Sequence, residues 1–446
     1  MTIRRLWIVF VWLLALALGL ERPAFGQTDP RPNVLVIVVD DMSWEELSAG
    51  RMPTVGTLAP YGRTFTRFYG CPVCSPSRVG VLAGTMPHRH FVGSALNITD
   101  ASLVGMPATA TTVPEALGAV GYSTALFGKA HVSGLAGTHP LEQARVHGFQ
   151  SWRAGVRSNI IAPESHFNWT RVDNGKPSTT TTYSTTAIVN ECMAWWSSTS
   201  GPRFAVLAPA APHDPFEAPP AALLPPGYVV GSSDRAKYEA ALLALDTSLA
   251  SLLSVLDLSN TYVVFLSDNG SPHQVPPPMG QSPGYKLTVY EGGVRVPLIV
   301  WGPSIAPGID DTLTQTVDLA RTIFDLVGYA PAVHPITGAP LSFVDSISFE
   351  PSLHGIPAGP ARRQYVYVAR FAPNNGTAPA LTTDNWAVVR EDGWKLVQEG
   401  TVYRIFNLAN DPWEQGGFGP GGMGLAVVVA DLLNYRSAVL GTAWPY

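Results

Sequence analysis

The feature that most constrains the fold is a repeated pattern in which a continuous apolar run ends abruptly at polar residues. Such runs occur at Asn33–Val39, Phe204–Ala208 and Tyr262–Leu266. They show no alternation of apolar and polar residues, which is typical of strands buried on both faces of a sheet. Helical spacing of apolar residues, as in Tyr238–Leu256, separates the runs. The sequence therefore predicts an α/β domain with a large, mostly parallel central sheet flanked by helices.

Polar side chains follow each of these three runs. Asp40 and Asp41 follow the first run, His213 comes shortly after the second, and Asp268 and Asn269 come shortly after the third. Ligands bind beyond the carboxyl ends of the strands in such sheets, so we expect these residues to converge. The oxygen atoms suit calcium or magnesium better than zinc. Either acidic pair alone is also compatible with an ordinary turn, in which Asp and Asn bind their own backbone.

The last quarter of the chain has a different pattern, with short runs of strand-forming residues separated by turn residues. These runs are Gln364–Val368, Trp386–Arg390, Trp394–Val397 and Val402–Phe406. They predict a small antiparallel sheet. A proline-rich stretch over residues 330–360 would connect it to the α/β part. We therefore expect an α/β domain over residues 32–355 and a small α+β subdomain over residues 356–446.

The N-terminus resembles a signal peptide. Arg4 and Arg5 precede an uncharged run over residues 6–20, which is shorter than the roughly 20 residues that a membrane-spanning helix needs. Small residues at Ala24 and Gly26 suit cleavage after Gly26. We expect residues 1–26 to be removed and the protein to be exported, to a periplasm, the medium or an extracytoplasmic compartment, without stable membrane insertion. An uncleaved anchor is the alternative.

Charge and cysteine content exclude several classes of protein. The formal charge is −5 and charged residues make up 14% of the chain, against about 25% in an average protein, so a nucleic-acid partner is not expected. Three cysteines do not form a disulfide framework. Cys71 and Cys74 are spaced as C-x-x-C, which alone is compatible with redox chemistry, half of a metal site or coincidence.

The residues around Cys74 resemble a known family. Cys74-Ser75-Pro76-Ser77-Arg78 matches the C-x-P-S-R motif of the formylglycine-dependent sulfatases, which belong to the alkaline-phosphatase-like superfamily. Further motifs of that family follow in order, at residues 121–131, 212–215, 267–270, 286–297 and 405–414. Together the motifs span essentially the whole chain after the predicted signal peptide.

The resemblance implies a sulfate-ester hydrolase that acts on a sulfated small molecule or glycan. In the family, a separate formylglycine-generating enzyme oxidises the cysteine to Cα-formylglycine, whose hydrated aldehyde attacks sulfur and later releases sulfate. The matching positions imply that a divalent cation, calcium rather than magnesium, binds one set of residues. That set is Asp40, Asp41, Cys74, Asp268 and Asn269.

The resemblance also assigns roles to the cations of the site. Arg78 and Lys129 would orient the hydrated aldehyde, and His131 would contact its second hydroxyl and take a proton from it. His213 and Lys286 would bind the ester oxygen, so that Lys129, His213 and Lys286 contact the substrate. Outside the motif order, each lysine would be assigned to the solvent-exposed surface and each histidine to a loop.

Two departures from the family pattern affect the surroundings of the site. The family usually has Leu-Thr-Gly-Arg where this chain has Leu82-Ala83-Gly84-Thr85, and Trp where it has Ala130. A wider cleft beside Lys129 is therefore expected.

Two other functions stay open from the sequence. One is a phosphonate or phosphate monoesterase that uses the same site, and the other is a non-catalytic, exported binder of sulfated glycans.

Overall fold

The computed structural model describes residues 30–48, 50–97, 105–134, 140–276, 284–329, 343–357, 362–374, 382–419 and 425–441. From Pro32 onward the chain forms one compact unit. The predicted signal peptide, residues 1–26, lies outside the described residues. Among the helices of the described ranges, none is both long enough and apolar enough to span a membrane.

Within the described residues, ten strands form one mixed sheet in the order β11-β2-β10-β9-β1-β8-β4-β5-β6-β7. Their bounds are β1 Asn33–Val39, β2 Arg63–Phe65, β4 Ser123–Lys129, β5 Ser151–Val156, β6 Trp169–Asp173, β7 Lys176–Thr180, β8 Arg203–Ala208, β9 Thr261–Ser267, β10 Leu298–Trp301 and β11 Gly308–Asp310. A separate pair consists of β3 Phe68–Tyr69 and β12 Thr314–Gln315.

The three apolar runs of the sequence are neighbours in the sheet, in the order β8-β1-β9. β1 pairs in parallel with both of the others, and β8 continues in parallel to β4 and β5. β10 is antiparallel to β9 and β2, and β6 and β7 are antiparallel at the opposite edge. The predicted α/β fold is therefore confirmed, with a parallel centre and antiparallel flanks.

Helices cover both faces of the sheet. Their bounds are α1 Trp44–Ser48, α2 Pro53–Leu58, α3 Cys74–Ala83, α4 Pro87–His90, α5 Val113–Ala119, α6 Gln143–Val146, α7 Ser184–Ser198, α8 Asp234–Leu253, α9 Glu291–Val294, α10 Asp318–Leu326, α11 Glu350–Leu353 and α12 Ala426–Gly441, with single 3₁₀ turns at Ala59–Tyr61 and Ala221–Leu223. On β1, Val34, Val36 and Val38 face the side covered by α3, α5 and α10. Leu35, Ile37 and Val39 face α2, α7 and α8. Burial on both faces explains why the run is continuously apolar.

Helix α3 carries the C-x-P-S-R motif, and every residue in it is buried. Cys74 is its first residue. The helix ends where Gly84 adopts a left-handed conformation, with φ of 61°, and its N–H bonds to the carbonyl of Gly80. Glycine suits this C-terminal position because it has no Cβ to clash. The motif is therefore held on a rigid, fully packed element.

The small sheet predicted at the C-terminus is present as β13 Tyr365–Ala372, β14 Thr383–Arg390, β15 Trp394–Glu399 and β16 Val402–Asn407. These four strands of the described residues are antiparallel and follow one another in order. Helix α12 packs Leu432 and Val439 on one face of the sheet. The other face packs against the α/β part through Val289 and Val294. The domain boundary near residue 355 stays a prediction.

A buried ion cluster joins the small sheet to the α/β part. Lys395 of β15 has no exposed surface, and its Nζ lies 2.9 Å from Oε1 of Glu291 and 2.8 Å from Oε1 of Glu414. Burial raises the pKa of Glu414 to about 7, although Lys395 opposes this shift. Glu291 is the first residue of α9. A single lysine therefore ties two segments of the chain to the small sheet.

Replacing Lys395 with Met is expected to lower the free energy of unfolding by about 3–5 kcal/mol, because it leaves two buried carboxylates without their counter-ion. Urea denaturation measures this change. Arg145→Met is a matched control that breaks an exposed pair with Glu142, and it should cost under about 1 kcal/mol. An equal effect of the two substitutions would contradict the assignment.

Candidate active site

Four buried polar side chains lie at the carboxyl ends of β1 and β9. Asp40 and Asp41 follow β1, and Asp268 and Asn269 follow β9. The two strands pair in parallel along their whole length, which places their ends side by side. The backbone N–H of Asp41 donates to Oδ1 of Asp268 at 3.2 Å, and Nδ2 of Asn269 donates to Oδ1 of Asp41 at 2.7 Å. The expected convergence is thus observed.

Buried cations from two other elements pair with these acids. Lys129, the last residue of β4, places Nζ 2.6 Å from Oδ2 of Asp40. Arg78 of α3 donates from Nε to Oδ2 of Asp268 at 2.8 Å and from Nη1 to the carbonyl of Lys129 at 2.9 Å. Its Nη2 lies 3.6 Å from Oδ1 of Asp40. The guanidinium therefore bridges the ends of three elements.

A third cation, Lys286, enters from a loop. Its Nζ donates to Oδ2 of Asp41 at 2.8 Å. Two backbone bonds hold this loop: the N–H of Lys286 bonds to the carbonyl of Ser271, and the N–H of Leu287 bonds to the carbonyl of Pro72. Burial alone would lower the pKa of Lys286, but Asp41 and its neighbours raise it above its ordinary value. Lys286 therefore carries a full positive charge at neutral pH.

The two carboxylates nearest these cations have different acidities. Burial alone would raise the pKa of Asp40, but the surrounding positive charges, above all Lys129, hold it well below its ordinary value. Burial raises the pKa of Asp268 to about 6, and the opposing charge of Arg78 does not cancel this effect. Asp40 is therefore ionised at neutral pH. One more positive charge beside Asp268 would keep that group ionised as well.

Cys74 lies directly against the acidic residues. Its Sγ and carboxylate oxygens of Asp40 and Asp268 all lie within 4.8 Å of one another. Burial raises the pKa of the Cys74 thiol, although Lys129 and Lys286 oppose this shift. A protonated, buried thiol is a weak nucleophile. The position is therefore central to the site, but the unmodified thiol is poorly suited to attack a substrate.

Two buried oxygen atoms test whether a cation fits here. Among the described residues, Oδ1 of Asp40 and Oδ1 of Asn269 have no hydrogen-bond partner, and both are inaccessible to solvent. Buried acceptors without partners are rare because they lose their hydration without compensation. A hard divalent cation binds carboxylate and amide oxygens. The donor set therefore fits calcium or magnesium.

The pairing of β4 with β5 is irregular beside two of the predicted residues. The pairing of β4 with β5 shifts register between Phe127 and Lys129, and Gly128 there has φ of +85°. The extra residue lies in β5, so β4 ends beside a bulge of its partner strand. After β4, His131 places Nε2 2.9 Å from the carbonyl of Leu96. Nε2 must donate in this bond, so Nδ1 is an acceptor, and it has no partner in the described part of the chain.

Burial and nearby positive charges keep His131 neutral. Burial lowers its pKa well below the ordinary value, and the nearby charges of Lys129 and Arg78 lower it further. A neutral imidazole with a free acceptor nitrogen can take a proton from a hydroxyl group. This arrangement suits the role that the resemblance implies for His131.

His213 completes the opposite side of the site. Its Nε2 lies 3.7 Å from Oδ2 of Asp41, while Nδ1 lies 2.9 Å from Oδ1 of Asp214 and 2.8 Å from the carbonyl of Asp214. The backbone of His213 is held by His166, whose Nε2 donates to its carbonyl at 3.0 Å. The ring therefore presents Nε2 to the acids.

Comparison with known proteins decides the family. The description of the matching family is Sulfatase, and the match covers residues 32–329. The chain belongs to the sulfatase family. The resemblance and the enzyme class predicted from the sequence are thereby confirmed.

Individual relatives agree with this assignment. N-acetylgalactosamine-6-sulfatase of Sus scrofa is 31% identical over 366 residues, which cover 73% of this sulfatase and 67% of the relative. Arylsulfatase A of Homo sapiens is 28% identical and covers 80% of this chain and 73% of its own. A crystal structure of Ps i-CgsB in complex with k-i-k-neocarrahexaose has a TM-score of 0.75 at 22% identity, with 93% and 94% of the two chains covered. That likeness shows a shared fold.

Hydrogen bonds, ion pairs or close approach link most of the residues predicted for the site. The linked residues are Asp40, Asp41, Cys74, Arg78, Lys129, His213, Asp268, Asn269 and Lys286. His131 is two residues beyond Lys129. Their roles in binding and catalysis stay predictions.

The sequence did not single out two supporting residues. Ser77 Oγ donates to the carbonyl of Asp268 at 2.5 Å and accepts from the N–H of Cys71 at 2.7 Å. Its place inside the C-x-P-S-R motif was an available signal. His166 has no partner pattern of its own in the sequence, yet its ring bonds to the backbone of His213. No local pattern marks it, because the contact joins residues 47 positions apart.

The departures from the family pattern lie in the interior. Oγ1 of Thr85 is buried and has no partner among the described residues. Ala130 is 4% exposed and lines an apolar cavity of about 20 Å³ that reaches Arg78 and Lys129. The missing ring therefore leaves a small internal void, and the structure does not show the wider cleft that was expected. A larger cavity, about 620 Å³, lies elsewhere, next to Arg63 and Arg362.

The structure also places two tryptophans and the three cysteines. Trp152 and Trp169 are fully buried, and each indole N–H donates to a backbone carbonyl, so both residues pack in the interior. Within the described residues, Cys71, Cys74 and Cys192 are free thiols, and Cys71 and Cys192 are not bridged. The C-x-x-C spacing therefore forms no disulfide.

Replacing Lys129 with Met is expected to lower the free energy of unfolding by about 3 kcal/mol in metal-free buffer, because it removes the closest counter-ion of the buried Asp40. Chemical denaturation in a chelator measures this change. Lys176→Met removes an exposed lysine of β7 and serves as the control, with an expected change within about 0.5 kcal/mol. No difference between the two variants would show that the pair does not stabilise the fold.

Proposed function

We propose that this sulfatase hydrolyses sulfate monoesters with a formylglycine generated from Cys74, beside a calcium ion. The observation that carries the proposal is the position of Cys74, whose Sγ lies within 4.8 Å of two buried carboxylates. Lys129 and Lys286 flank the same carboxylate cluster. The Sγ atom marks where a hydroxyl of the hydrated aldehyde would lie.

A modified side chain suits this environment better than the thiol. The thiol is protonated by burial, and sulfur is a poor ligand for a hard cation. Hydrated formylglycine supplies two geminal hydroxyls, one to displace the alcohol from sulfur and one to release sulfate. Conversion requires a formylglycine-generating enzyme as a transient partner. The intact Cys74, Pro76 and Arg78 of the motif support recognition by it.

Calcium is proposed over magnesium on the basis of ligand number. Asp40, Asp41, Asp268, Asn269 and the modified Cys74 would hold the ion, and its charge would stabilise the sulfuryl oxygens. Magnesium usually keeps several waters and takes only one or two carboxylates. Three clustered carboxylates and an amide are closer to what calcium accepts.

The remaining residues would bind the substrate and move protons. Lys129, Lys286 and His213 surround the position of a sulfate group with positive charge and hydrogen-bond donors. Arg78 holds Asp268 and the end of β4, so it fixes the geometry of the site. Nδ1 of His131 would take the proton whose loss starts sulfate release. Nε2 of His213 would donate to the oxygen of the departing alcohol.

The substrate is proposed to be a sulfated glycan or small molecule that the protein meets outside the cytoplasm. The relatives named above act on a sulfated amino sugar and on aryl sulfates, to judge by their names. Export would follow removal of residues 1–26. Phosphonate and phosphate monoesters are the competing substrates, and comparison of kcat/KM for matched aryl esters separates them.

The test of the nucleophile combines mass spectrometry with substitution. The peptide that contains Cys74 is expected to be lighter than its unmodified mass by about 18 units, as conversion of a thiol to an aldehyde requires. Cys74→Ala should lower kcat/KM for 4-nitrophenyl sulfate by at least about 10³-fold. Cys192→Ala, at a buried cysteine of α7, is the matched control and should retain activity. Undiminished hydrolysis by Cys74→Ala would refute the proposal.

The metal is tested by thermal unfolding after chelation. Calcium at 100 times its dissociation constant should stabilise the fold by about 2.7 kcal/mol, and magnesium at the same concentration should stabilise it less. Asp268→Asn should abolish the calcium response. Asp310→Asn, at a buried aspartate paired with Arg63 outside the site, should retain it. A calcium response in Asp268→Asn equal to that of the wild type would exclude this site.

A further inference from the structure

One arginine of the small C-terminal sheet, Arg370, extends toward the candidate active site. Residues 366, 368 and 370 of β13 share a face of the sheet because side chains alternate along a strand. Val366 and Val368 pack on that face against Val289 and Val294 of the α/β part. Arg370 continues the same face beyond this apolar cluster. It therefore points toward the segment that carries Lys286.

A hydrogen bond places the guanidinium of Arg370 at the rim of the site. Its Nη1 donates to the carbonyl of Leu287 at 3.1 Å. Leu287 directly follows Lys286, whose Nζ lies 2.8 Å from Oδ2 of Asp41. The N–H of Leu287 bonds to the carbonyl of Pro72, two residues before Cys74. Arg370 is thus one residue away from a lysine proposed to bind the sulfate.

The charge of Arg370 has no counter-ion among the described residues. Its Nε is buried without a hydrogen-bond partner in this part of the structure. Burial lowers the pKa of Arg370, and no carboxylate opposes this shift. Two other arginines of the C-terminal part do have acid partners. Arg362 pairs with Glu391, and Arg390 pairs with Asp392 and Asp431. A ligand with a negative charge would offset the partial loss of hydration of this half-buried cation.

We propose that Arg370 binds a second anionic group, a carboxylate or a sulfate, on the alcohol half of the substrate. The inference rests on the proposed sulfate-ester hydrolysis and narrows its substrate class to polyanionic glycans. The planar guanidinium forms paired hydrogen bonds with either group. Arg370 therefore selects substrates by their alcohol half. Lys129, Lys286 and His213 bind the sulfate group that is transferred.

The experiment uses the full chain with converted Cys74 and 4-nitrophenyl sulfate as reporter substrate. Three competitors are compared: N-acetylgalactosamine 6-sulfate, N-acetylgalactosamine 4,6-disulfate, and a chondroitin 6-sulfate disaccharide with a uronate. The wild type should bind at least one of the two dianionic competitors more tightly than the monoanion. Arg370→Gln should raise the Ki of that competitor about tenfold or more, and raise the Ki of the monoanion less. The disulfate and uronate arms distinguish a sulfate from a carboxylate.

Two further variants sharpen the test. Arg370→Lys keeps the charge without the planar fork and should give an intermediate Ki for the same competitor. Arg362→Gln removes an exposed arginine just before β13 that already has an acid partner, and it should leave every Ki unchanged. This control separates a specific contact from a general loss of positive charge on the small sheet.

Three outcomes would overturn the inference. Equal losses for the reporter substrate and all competitors in Arg370→Gln would show that Arg370 only holds the turn beside Lys286. A wild type that hydrolyses the reporter but binds no dianion more tightly than the monoanion would refute the second anion site alone. A wild type with converted Cys74 that hydrolyses no sulfate ester would refute the proposed function, and this inference with it.

Discussion

The structure depends on the neutralisation of three carboxylates that are buried at the carboxyl ends of the central strands β1 and β9. Asp40, Asp41 and Asp268 are fully buried, and no fold tolerates three such charges without partners. Lys129, Arg78 and Lys286 supply one positive charge each. The site is therefore close to neutral as the chain alone builds it. A divalent cation would make it positive, which suits a sulfate ester and the charge that develops as the ester bond breaks.

The charged residues come from separate strands and helices, and the position of each has a structural cause. Two parallel strands in register bring Asp40 and Asp268 together. The end of β4, which carries Lys129, lies beside a bulge in β5, and Gly128 there has a positive φ. A fully buried helix fixes Arg78 four residues after Cys74. Rigid elements hold a site more precisely than loops do, so the position of Cys74 is set by packing as well as by charge.

The fold and the centre of the site could be predicted because their signals are local. Apolar runs that end in Asp mark β1 and β9, and the C-x-P-S-R motif marks α3. The direction of the strands could not be predicted as well. Leu298–Trp301 is as apolar as the parallel strands, and yet it runs antiparallel to its neighbours. Helix α8 begins four residues earlier than its apolar spacing predicts, since Ser233 caps it by accepting from the N–H of Ala236. Arg370 could not be predicted, because its contact with Leu287 joins residues 83 positions apart.

The small sheet holds the segment beside Lys286 from outside the α/β part. Lys395 binds Glu291 at the start of α9, and Arg370 binds the carbonyl of Leu287. These two contacts hold both ends of a short segment, residues 287–291, that directly follows Lys286. Because the backbone of this segment is fixed on both sides, Lys286 reaches Asp41 with little freedom left to lose when substrate binds. The antiparallel sheet is therefore tied to the candidate site, and a change in its packing would reach Lys286 through these two contacts.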